Sequence, residues 1–202
     1  PGHHLIVKDG KVDVRRWWDV PAAENDTRTE AEWIEALREL MDDSVRQRLV
    51  SDVPVGAFLS GGVDSSAILA AMRRHTKGDL IAYSVGFRGQ DQRYEFAPDD
   101  LEFSRLVAKQ TKDLDYHEII LEPKVGELLP KMVWHMDEPV ADAAAISTYL
   151  ICKAAKERAT VMLSGVGAEE VFGGYRRHHA VLLAEDYVRW PSLVRKGVRS
   201  LS

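Results

Sequence analysis

Two hydrophobic patterns alternate along the chain from Asp52 onward. Short apolar runs rich in β-branched residues predict strands, and stretches with an apolar residue every three or four positions predict helices. The predicted strands read VGAFLS, LIAYSVGF, YHEIIL and TVMLSG. The predicted helices span residues 64–74, 101–111, 125–135 and 147–157, and a further helix begins at Glu169. This alternation is typical of a parallel sheet covered on both faces, so we predict a doubly wound α/β fold.

The first 51 residues have a different pattern. Residues 5–18 alternate around Asp9-Gly10, a dipeptide that favours tight turns, and they predict a β-hairpin. A polar stretch with Pro21 follows and predicts a linker, and Thr29 and Glu32 have the spacing of a helix capping box. We therefore predict a hairpin in residues 1–20, a linker and helix in 21–51, and an α/β domain in 52–202. Residues 88–100 are polar enough to predict a mobile surface loop.

Composition and charge exclude several classes of function. The formal net charge is −5 and the basic residues are scattered among carboxylates, which argues against a nucleic-acid or membrane surface. No apolar stretch approaches the roughly 20 residues that span a bilayer. The single cysteine, Cys152, cannot form an internal disulfide, which favours a reducing compartment and predicts a cytoplasmic protein. Cys152 is predicted to lie in the core. The residues predicted to lie in the core or at a domain interface are Trp17, Trp18, Trp33 and Trp134.

The segment AFLSGGVDSSAIL, residues 57–69, joins a predicted strand to a predicted helix through a glycine turn. Such a turn offers backbone N–H groups and the positive end of the helix dipole to an anion. Asp64 can hold the Mg²⁺ that accompanies a polyphosphate. Hydroxyl donors flank the turn at Ser60, Ser65 and Ser66. No lysine follows the glycines, so the segment is not the GxxxxGK[ST] loop of other nucleotide-binding proteins.

These residues resemble a known loop. Ser-Gly-Gly-x-Asp-Ser after an apolar strand is similar to the PP-loop of the ATP pyrophosphatases, which form an adenylate and release pyrophosphate. That superfamily includes synthetases for asparagine, GMP, NAD and argininosuccinate, and tRNA-modifying enzymes. Two further segments, MDEPVADAAAISTYLICKAA (136–155) and VMLSGVGAEEVFGGYRRHH (161–179), resemble the glutamine-hydrolysing asparagine synthetases. The resemblance implies an adenine nucleotide alpha hydrolase-like fold for the α/β domain.

The resemblance also implies a reaction, that of a carbon–nitrogen ligase of the amidotransferase class. The β-carboxylate of aspartate attacks the α-phosphate of MgATP, giving an aspartyl-adenylate and pyrophosphate, and ammonia derived from glutamine then displaces AMP. The cofactors implied are ATP and Mg²⁺, the substrates are aspartate and ammonia, and a homodimer is a candidate assembly.

Individual residues acquire expected roles from the same resemblance. Those expected to bind ATP are Phe58, Leu59, Ser60, Gly61, Gly62, Asp64, Ser65, Val85, Ser164 and Gly165. Asp64 and Glu169 are expected to hold Mg²⁺, and together with Glu138 they are the catalytic candidates. Glu169 stands where the family has an aspartate, and its extra methylene changes the reach of the carboxylate.

Val166 is a sharper departure from the family pattern. The best-known members carry a glutamate there that is tied to forming the intermediate and handling ammonia, and valine can neither accept a proton nor bind ammonium. Either another carboxylate serves, with Asp137, Glu138 and Asp142 as candidates, or the acceptor is not the usual one. The simpler interpretation of these three carboxylates is helix capping and a solvated loop.

Three functional hypotheses stay open. The first is asparagine synthesis by a parent protein of which this chain is a truncated segment. The hairpin resembles the last strands of a glutaminase domain, which would otherwise be missing, and the segment alone is expected to be weakly active or inactive. The second is adenylation of a different carboxylate, as in the β-lactam synthetases. The third is a nucleotide-binding module without catalysis.

Overall fold

The computed structural model describes residues 2–20, 26–87, 100–121, 125–138, 140, 142 and 144–190. The chain forms two compact units, Pro1–Arg38 and Glu39–Ser202. The boundary between the units falls within helix α1, Glu30–Arg48. The domain limits predicted at residues 20 and 51 remain predictions. Residues 21–25 of the predicted linker and residues 88–99 of the loop predicted at 88–100 lie outside the described residues.

The first unit contains the predicted hairpin. Strands β1 (His3–Lys8) and β2 (Lys11–Arg16) pair antiparallel, with Lys8 opposite Lys11. Asp9 and Gly10 have φ values of 51° and 72°, and positive φ at both central residues is what a two-residue type I′ turn requires. The hairpin prediction is confirmed.

A capping box begins helix α1. The backbone N–H of Thr29 donates to Glu32 Oε2 at 2.7 Å, and the N–H of Glu32 donates to Thr29 Oγ1 at 3.4 Å. These bonds satisfy two of the N–H groups that a helix start leaves without intrahelical partners. The helix start predicted from the Thr29–Glu32 spacing is therefore confirmed.

The second unit is built on a parallel sheet. Its strands are β3 (Val55–Phe58), β4 (Leu80–Phe87), β5 (Leu114–Leu121) and β6 (Val161–Leu163). They are all parallel, in the spatial order β5-β4-β3-β6. The helices are α2 (Val63–His75), α3 (Asp100–Gln110), α4 (Val125–Met136), α5 (Ala144–Ala155), α6 (Ala168–Phe172) and α7 (Arg176–Arg189). Each strand and helix predicted from the hydrophobic pattern is present.

Alternate residues of the strands supply two separate hydrophobic clusters. Leu80 and Ala82 of β4 belong to a cluster that also contains Leu69 and Met72 of α2 and Val45 of α1. The next residue of the strand, Tyr83, joins Ile151 and Ala155 of α5 in the second cluster. Because successive side chains of a strand point to opposite faces, helices cover the sheet on both sides. The predicted doubly wound α/β fold is confirmed.

Several residues predicted to be buried are exposed instead. Cys152 is exposed because it follows Ile151, the residue of α5 that packs into the second cluster, and one step along a helix turns the side chain by about 100°. The tryptophans at positions 17, 18, 33 and 134 are also exposed, so a core position is wrong for them, and the domain-interface alternative stays a prediction. Within the described ranges, no helix combines the length and apolar character needed to cross a membrane.

Candidate active site

The site lies where the order of the sheet reverses. From β3 the chain proceeds to β4 and β5 on one side, and it then returns to place β6 on the other side of β3. The carboxyl ends of β3 and β6 are therefore neighbours, and the loops that follow them meet at one edge of the sheet. Open α/β sheets bind ligands at such a switch point. Here the two loops and α6 enclose a cavity of about 560 Å³.

The loop after β3 is a glycine turn held by its own serines. The backbone N–H of Ser60 donates to Ser65 Oγ at 3.2 Å, and the two serine hydroxyl oxygens are 3.0 Å apart. Ser65 Oγ donates to the carbonyl of Gly62 at 3.2 Å, and Gly62 N–H donates to Ser60 Oγ at 3.3 Å. Gly61 has a φ of +79°, which glycine adopts without strain. The two serines therefore fix the shape of the turn.

No side chain caps the N-terminus of α2. Gly62 is the N-cap residue, and it has no side chain that could bind the first backbone N–H groups of the helix. Exposed N–H groups and the positive end of the helix dipole are suited to an anion. This part of the cavity can therefore bind a phosphate or a carboxylate group.

The loop after β6 presses against this helix start. A Cβ atom at Gly165 would lie 2.9 Å from the backbone nitrogen of Ser65 and 3.0 Å from the Cβ of Asp64. No side chain fits between the two segments, so only glycine permits this approach. The result is a narrow cradle with the first turn of α2 on one side and residues 164–167 on the other.

The described lining is acidic. Asp64 enters the cavity from α2, and Glu169 and Glu170 enter it from α6. The described lining residues include no lysine, arginine or histidine. Three carboxylates repel a bare polyphosphate, so an anionic ligand would have to bring cations with it.

The carboxylates that line the cavity can supply some, but not all, of the ligands that Mg²⁺ needs. Mg²⁺ prefers oxygen ligands and is commonly bound by one or two carboxylates together with phosphate oxygens and water. Within the described residues no group of three or more His, Cys, Asp or Glu side chains could hold a metal ion by itself. The carboxylates of Asp64 and Glu169 therefore suit a metal that arrives with a phosphate ligand.

A tyrosine binds one of the two α6 carboxylates. Tyr175 OH donates to Glu170 Oε1 at 2.6 Å. This hydrogen bond lowers the pKa of Glu170, and it raises the pKa of the Tyr175 phenol because loss of the proton would place two negative charges together. Arg177 lies over the same ring, with its guanidinium carbon 3.9 Å from the ring centroid.

Most of the residues predicted to form the site line this one cavity. They are Phe58, Ser60, Gly62, Asp64, Ser65, Ser164, Gly165 and Glu169. Leu59 is buried beneath the turn in the first hydrophobic cluster, and Gly61 faces α3, where a Cβ would lie 2.5 Å from the backbone nitrogen of Ser104. The roles expected of these residues remain predictions.

Two predicted residues are not part of the described lining. Val85 packs against the second hydrophobic cluster, and Glu138 is an exposed residue just after α4. Of the other carboxylates weighed with Glu138, Asp142 caps α5, because its Oδ1 accepts a hydrogen bond from Ala144 N–H at 2.9 Å. That cap also explains why α5 begins at Ala144 and not at Ser147.

The cavity also contains residues to which sequence reasoning assigned no role. Those are Val63, Gly167, Ala168, Phe172, Gly174 and Tyr175, with Glu170 beside them. Val166 lines the cavity and is 88% exposed. Most of these residues belong to the segment 161–179, in which Gly173-Gly174 is a sequence signal for the end of a helix. Because α6 ends there, Tyr175 lies close enough to the loop after β6 to line the same cavity.

The sheet and the turn at its switch point define an α/β protein with a candidate anion-binding site at the carboxyl edge of its strands. The family model described as "Asparagine synthase" matches residues 36–202, so the chain belongs to the asparagine synthase family.

Individual relatives are similar over most of this chain. It is 35% identical over 197 residues to asparagine synthetase [glutamine-hydrolyzing] 1 of Bacillus subtilis, covering 97% of this chain and 30% of that protein. It is 36% identical over 178 residues to putative asparagine synthetase [glutamine-hydrolyzing] 2 of Methanocaldococcus jannaschii, covering 87% and 33%. The chain thus spans about a third of the length of these relatives. Among solved structures, an NH3-dependent NAD synthetase from Campylobacter jejuni is similar with a TM-score of 0.45 and 19% identity, covering 70% of this chain and 60% of that one.

Proposed function

We propose that this chain carries the ATP-binding, adenylate-forming site of a glutamine-hydrolysing asparagine synthetase. The observation that carries the proposal is the cradle between the two loops. An uncapped helix start, a glycine at its closest approach and two carboxylates from different elements meet in a single cavity. Family membership supports an ATP-dependent amide ligase reaction, in which such a cradle would serve.

In this proposal the backbone N–H groups at the start of α2 donate to the pyrophosphate portion of ATP. Asp64 and Glu169 hold its Mg²⁺, and Ser60 and Ser65 keep the turn in shape. The metal, when bound, would neutralise phosphate charge and stabilise the departing pyrophosphate. Phe58, Ser164 and Gly165 are proposed to contact the adenosine and the α-phosphate.

The proposed reaction has two steps. A β-carboxylate oxygen of aspartate bonds to the α-phosphorus, and the bond from that phosphorus to the bridging oxygen breaks, releasing pyrophosphate. Ammonia then bonds to the acyl carbon, AMP leaves, and the extra proton passes to a base. Preorganised donors act on the charge as it develops, which is how such sites lower the barrier. Ammonia is proposed to come from glutamine in the parent protein, with residues 1–20 belonging to the glutaminase domain.

One observation favours a second candidate, a different carboxylate as acceptor. Val166 lines the cavity and is 88% exposed, and the lining also includes the apolar residues Val63 and Phe172. An apolar wall suits an acceptor with an apolar portion better than it suits the charged amino acid aspartate.

The test is phosphorus NMR of this chain with MgATP, with and without aspartate and ammonium, and then with a panel of other acids. Aspartate-dependent release of AMP and pyrophosphate supports the first proposal, and release with another acid supports the second. ATP resonances that shift without turnover, and no longer shift in Asp64→Ala, support binding without catalysis. Asp186→Ala, an exposed carboxylate of α7, is the matched control. Unperturbed ATP resonances would contradict the proposal.

A further inference from the structure

The two adjacent carboxylates of α6 have different surroundings. Glu170 Oε1 accepts the hydrogen bond from Tyr175 OH at 2.6 Å, whereas no described residue hydrogen-bonds or ion-pairs with the carboxylate of Glu169. We propose that Tyr175 is a positioning residue. It holds Glu170 to the turn that follows α6, so that Glu169 is the carboxylate presented to the metal–nucleotide ligand. The role of the ligand in this inference rests on the proposed function.

The turn that follows α6 also restrains Glu169, at its backbone carbonyl and at its Cβ and Cγ atoms. Gly173 has a φ of +71° and ends α6, and the backbone N–H of Gly174 donates to the carbonyl of Glu169 at 3.0 Å. A Cβ at Gly174 would lie 3.0 Å from Glu169 Cγ and 3.3 Å from Glu169 Cβ. The backbone of the turn therefore packs directly on the Glu169 side chain, and it limits the rotamers that this side chain can adopt.

The start of α7 holds the Tyr175 ring in turn. The Arg177 guanidinium lies over one face of the ring at 3.9 Å, and the His178 ring meets its edge with centroids 5.6 Å apart. The backbone N–H of His178 donates to the carbonyl of Tyr175 at 2.9 Å. A phenol that is held at its ring can fix the group that its hydroxyl binds.

These contacts form one continuous connection from α7 through Tyr175 to Glu170 and the turn that supports Glu169. A helix of one turn, such as α6, does not hold its shape by itself. Without the Tyr175 hydroxyl, the turn loses its attachment to the Glu170 side chain, and the Glu169 carboxylate can move, whereas Glu170 keeps backbone hydrogen bonds that also lower its pKa. Loss of an outer partner of a metal-binding side chain typically weakens metal affinity by roughly 10-fold or more.

The first arm of the test needs no ligand. Amide hydrogen exchange at Gly174, whose N–H binds the Glu169 carbonyl, is measured in the chain and in Tyr175→Phe, Glu170→Ala and Glu170→Gln. We expect faster exchange in Tyr175→Phe and Glu170→Ala. Glu170→Gln keeps an oxygen that can accept from Tyr175, so it should retain the wild-type rate. The matched control is Tyr116→Phe, which removes a tyrosine hydroxyl bonded to Ser104 Oγ at 2.9 Å outside the cavity lining.

The second arm measures ATP binding as Mg²⁺ is titrated. Tyr175→Phe should raise the Mg²⁺ concentration for half-maximal binding by roughly 10-fold with an unchanged melting temperature, and Tyr116→Phe should leave that concentration unchanged. Unchanged exchange at Gly174 in Tyr175→Phe overturns the inference, as does an unchanged Mg²⁺ requirement in a chain that binds ATP. If the wild-type chain binds no MgATP, the proposed function fails, and the exchange arm still decides whether Tyr175 positions the turn.

Discussion

Gly165 is the residue at which the two loops of the site come closest. Replacing it with alanine places a methyl group 2.9 Å from the backbone nitrogen of Ser65, and neither backbone segment can yield easily. We expect Gly165→Ala to cost about 1–3 kcal/mol of unfolding free energy, in the range for overpacked positions, and to weaken MgATP binding. Denaturant unfolding and a nucleotide titration measure the two effects.

The control for that prediction is Gly126→Ala in α4. A Cβ at Gly126 meets no atom within 4 Å, and the residue lies inside a helix. Alanine should therefore be neutral there or stabilise the chain by about 0.5–1 kcal/mol. If Gly165→Ala were as stable as Gly126→Ala and bound MgATP equally well, the close packing of the two loops would contribute neither to stability nor to nucleotide binding.

Residues differ in how far their position in the site could be predicted. The glycine turn was predictable, because Gly-Gly between an apolar run and a helix start is typical of an anion-binding turn. Tyr175 was not, because its contact with Glu170 depends on α6 ending after a single turn at a left-handed glycine. The expected role of Val85 stays a prediction. It belongs to a predicted strand, as expected, but the face of the strand on which it lies packs against the second cluster.

At the scale of elements, Asp42 connects helix α1 to helix α2. Its Oδ1 accepts from Arg74 Nε at 2.9 Å, and its Oδ2 lies 2.7 Å from His75 Nε2. Arg74 first, and His75 second, lower the pKa of Asp42. An aspartate with a lowered pKa in the folded state stabilises the fold above its unfolded pKa, and this effect is lost as the pH falls through the folded value.

We therefore expect the melting temperature of Asp42→Asn to lie below that of the wild type at neutral pH. The difference should shrink as the pH falls below about 4, near the ordinary pKa of aspartate. Scanning calorimetry from pH 7 to pH 3 measures it. Asp186→Asn, whose partner Arg189 lies on the same helix, controls for the change in net charge. A difference as large at pH 3 as at pH 7 would show that the carboxylate charge is not involved.

Element boundaries were predictable where local chemistry sets them. The capping box of α1 and the Asp9-Gly10 turn follow from residues adjacent in sequence, and both were predicted. The break between α6 and α7 was not predicted, because the sequence pattern after Glu169 predicts only the start of a helix. Gly173 and Gly174 end that helix, and their effect depends on how closely the turn packs against Glu169.

At the scale of the whole chain, burial is concentrated in the sheet and the helices beside it. α2 contributes four buried residues, whereas α7 has no buried residue in the described structure. The apolar side chains of α7 are exposed, and they include Val181, Leu182, Leu183 and Val188. Elements with few buried contacts open at lower free energy than the core does. Stability should therefore be distributed unevenly, with α7 contributing little of it.

A pair of leucines tests this distribution. Leu69 is 0% exposed in α2 and belongs to the first cluster, whereas Leu182 is 60% exposed in α7. Leu69→Ala deletes the same atoms as Leu182→Ala, but it leaves a cavity in the first hydrophobic cluster. We expect a loss of about 2–5 kcal/mol for Leu69→Ala, and a change within about 0.5 kcal/mol for Leu182→Ala. Chemical denaturation followed by circular dichroism measures both. Equal losses would mean that α7 is packed as firmly as α2, and the exposed face of α7 would then have to be covered when the chain is in solution.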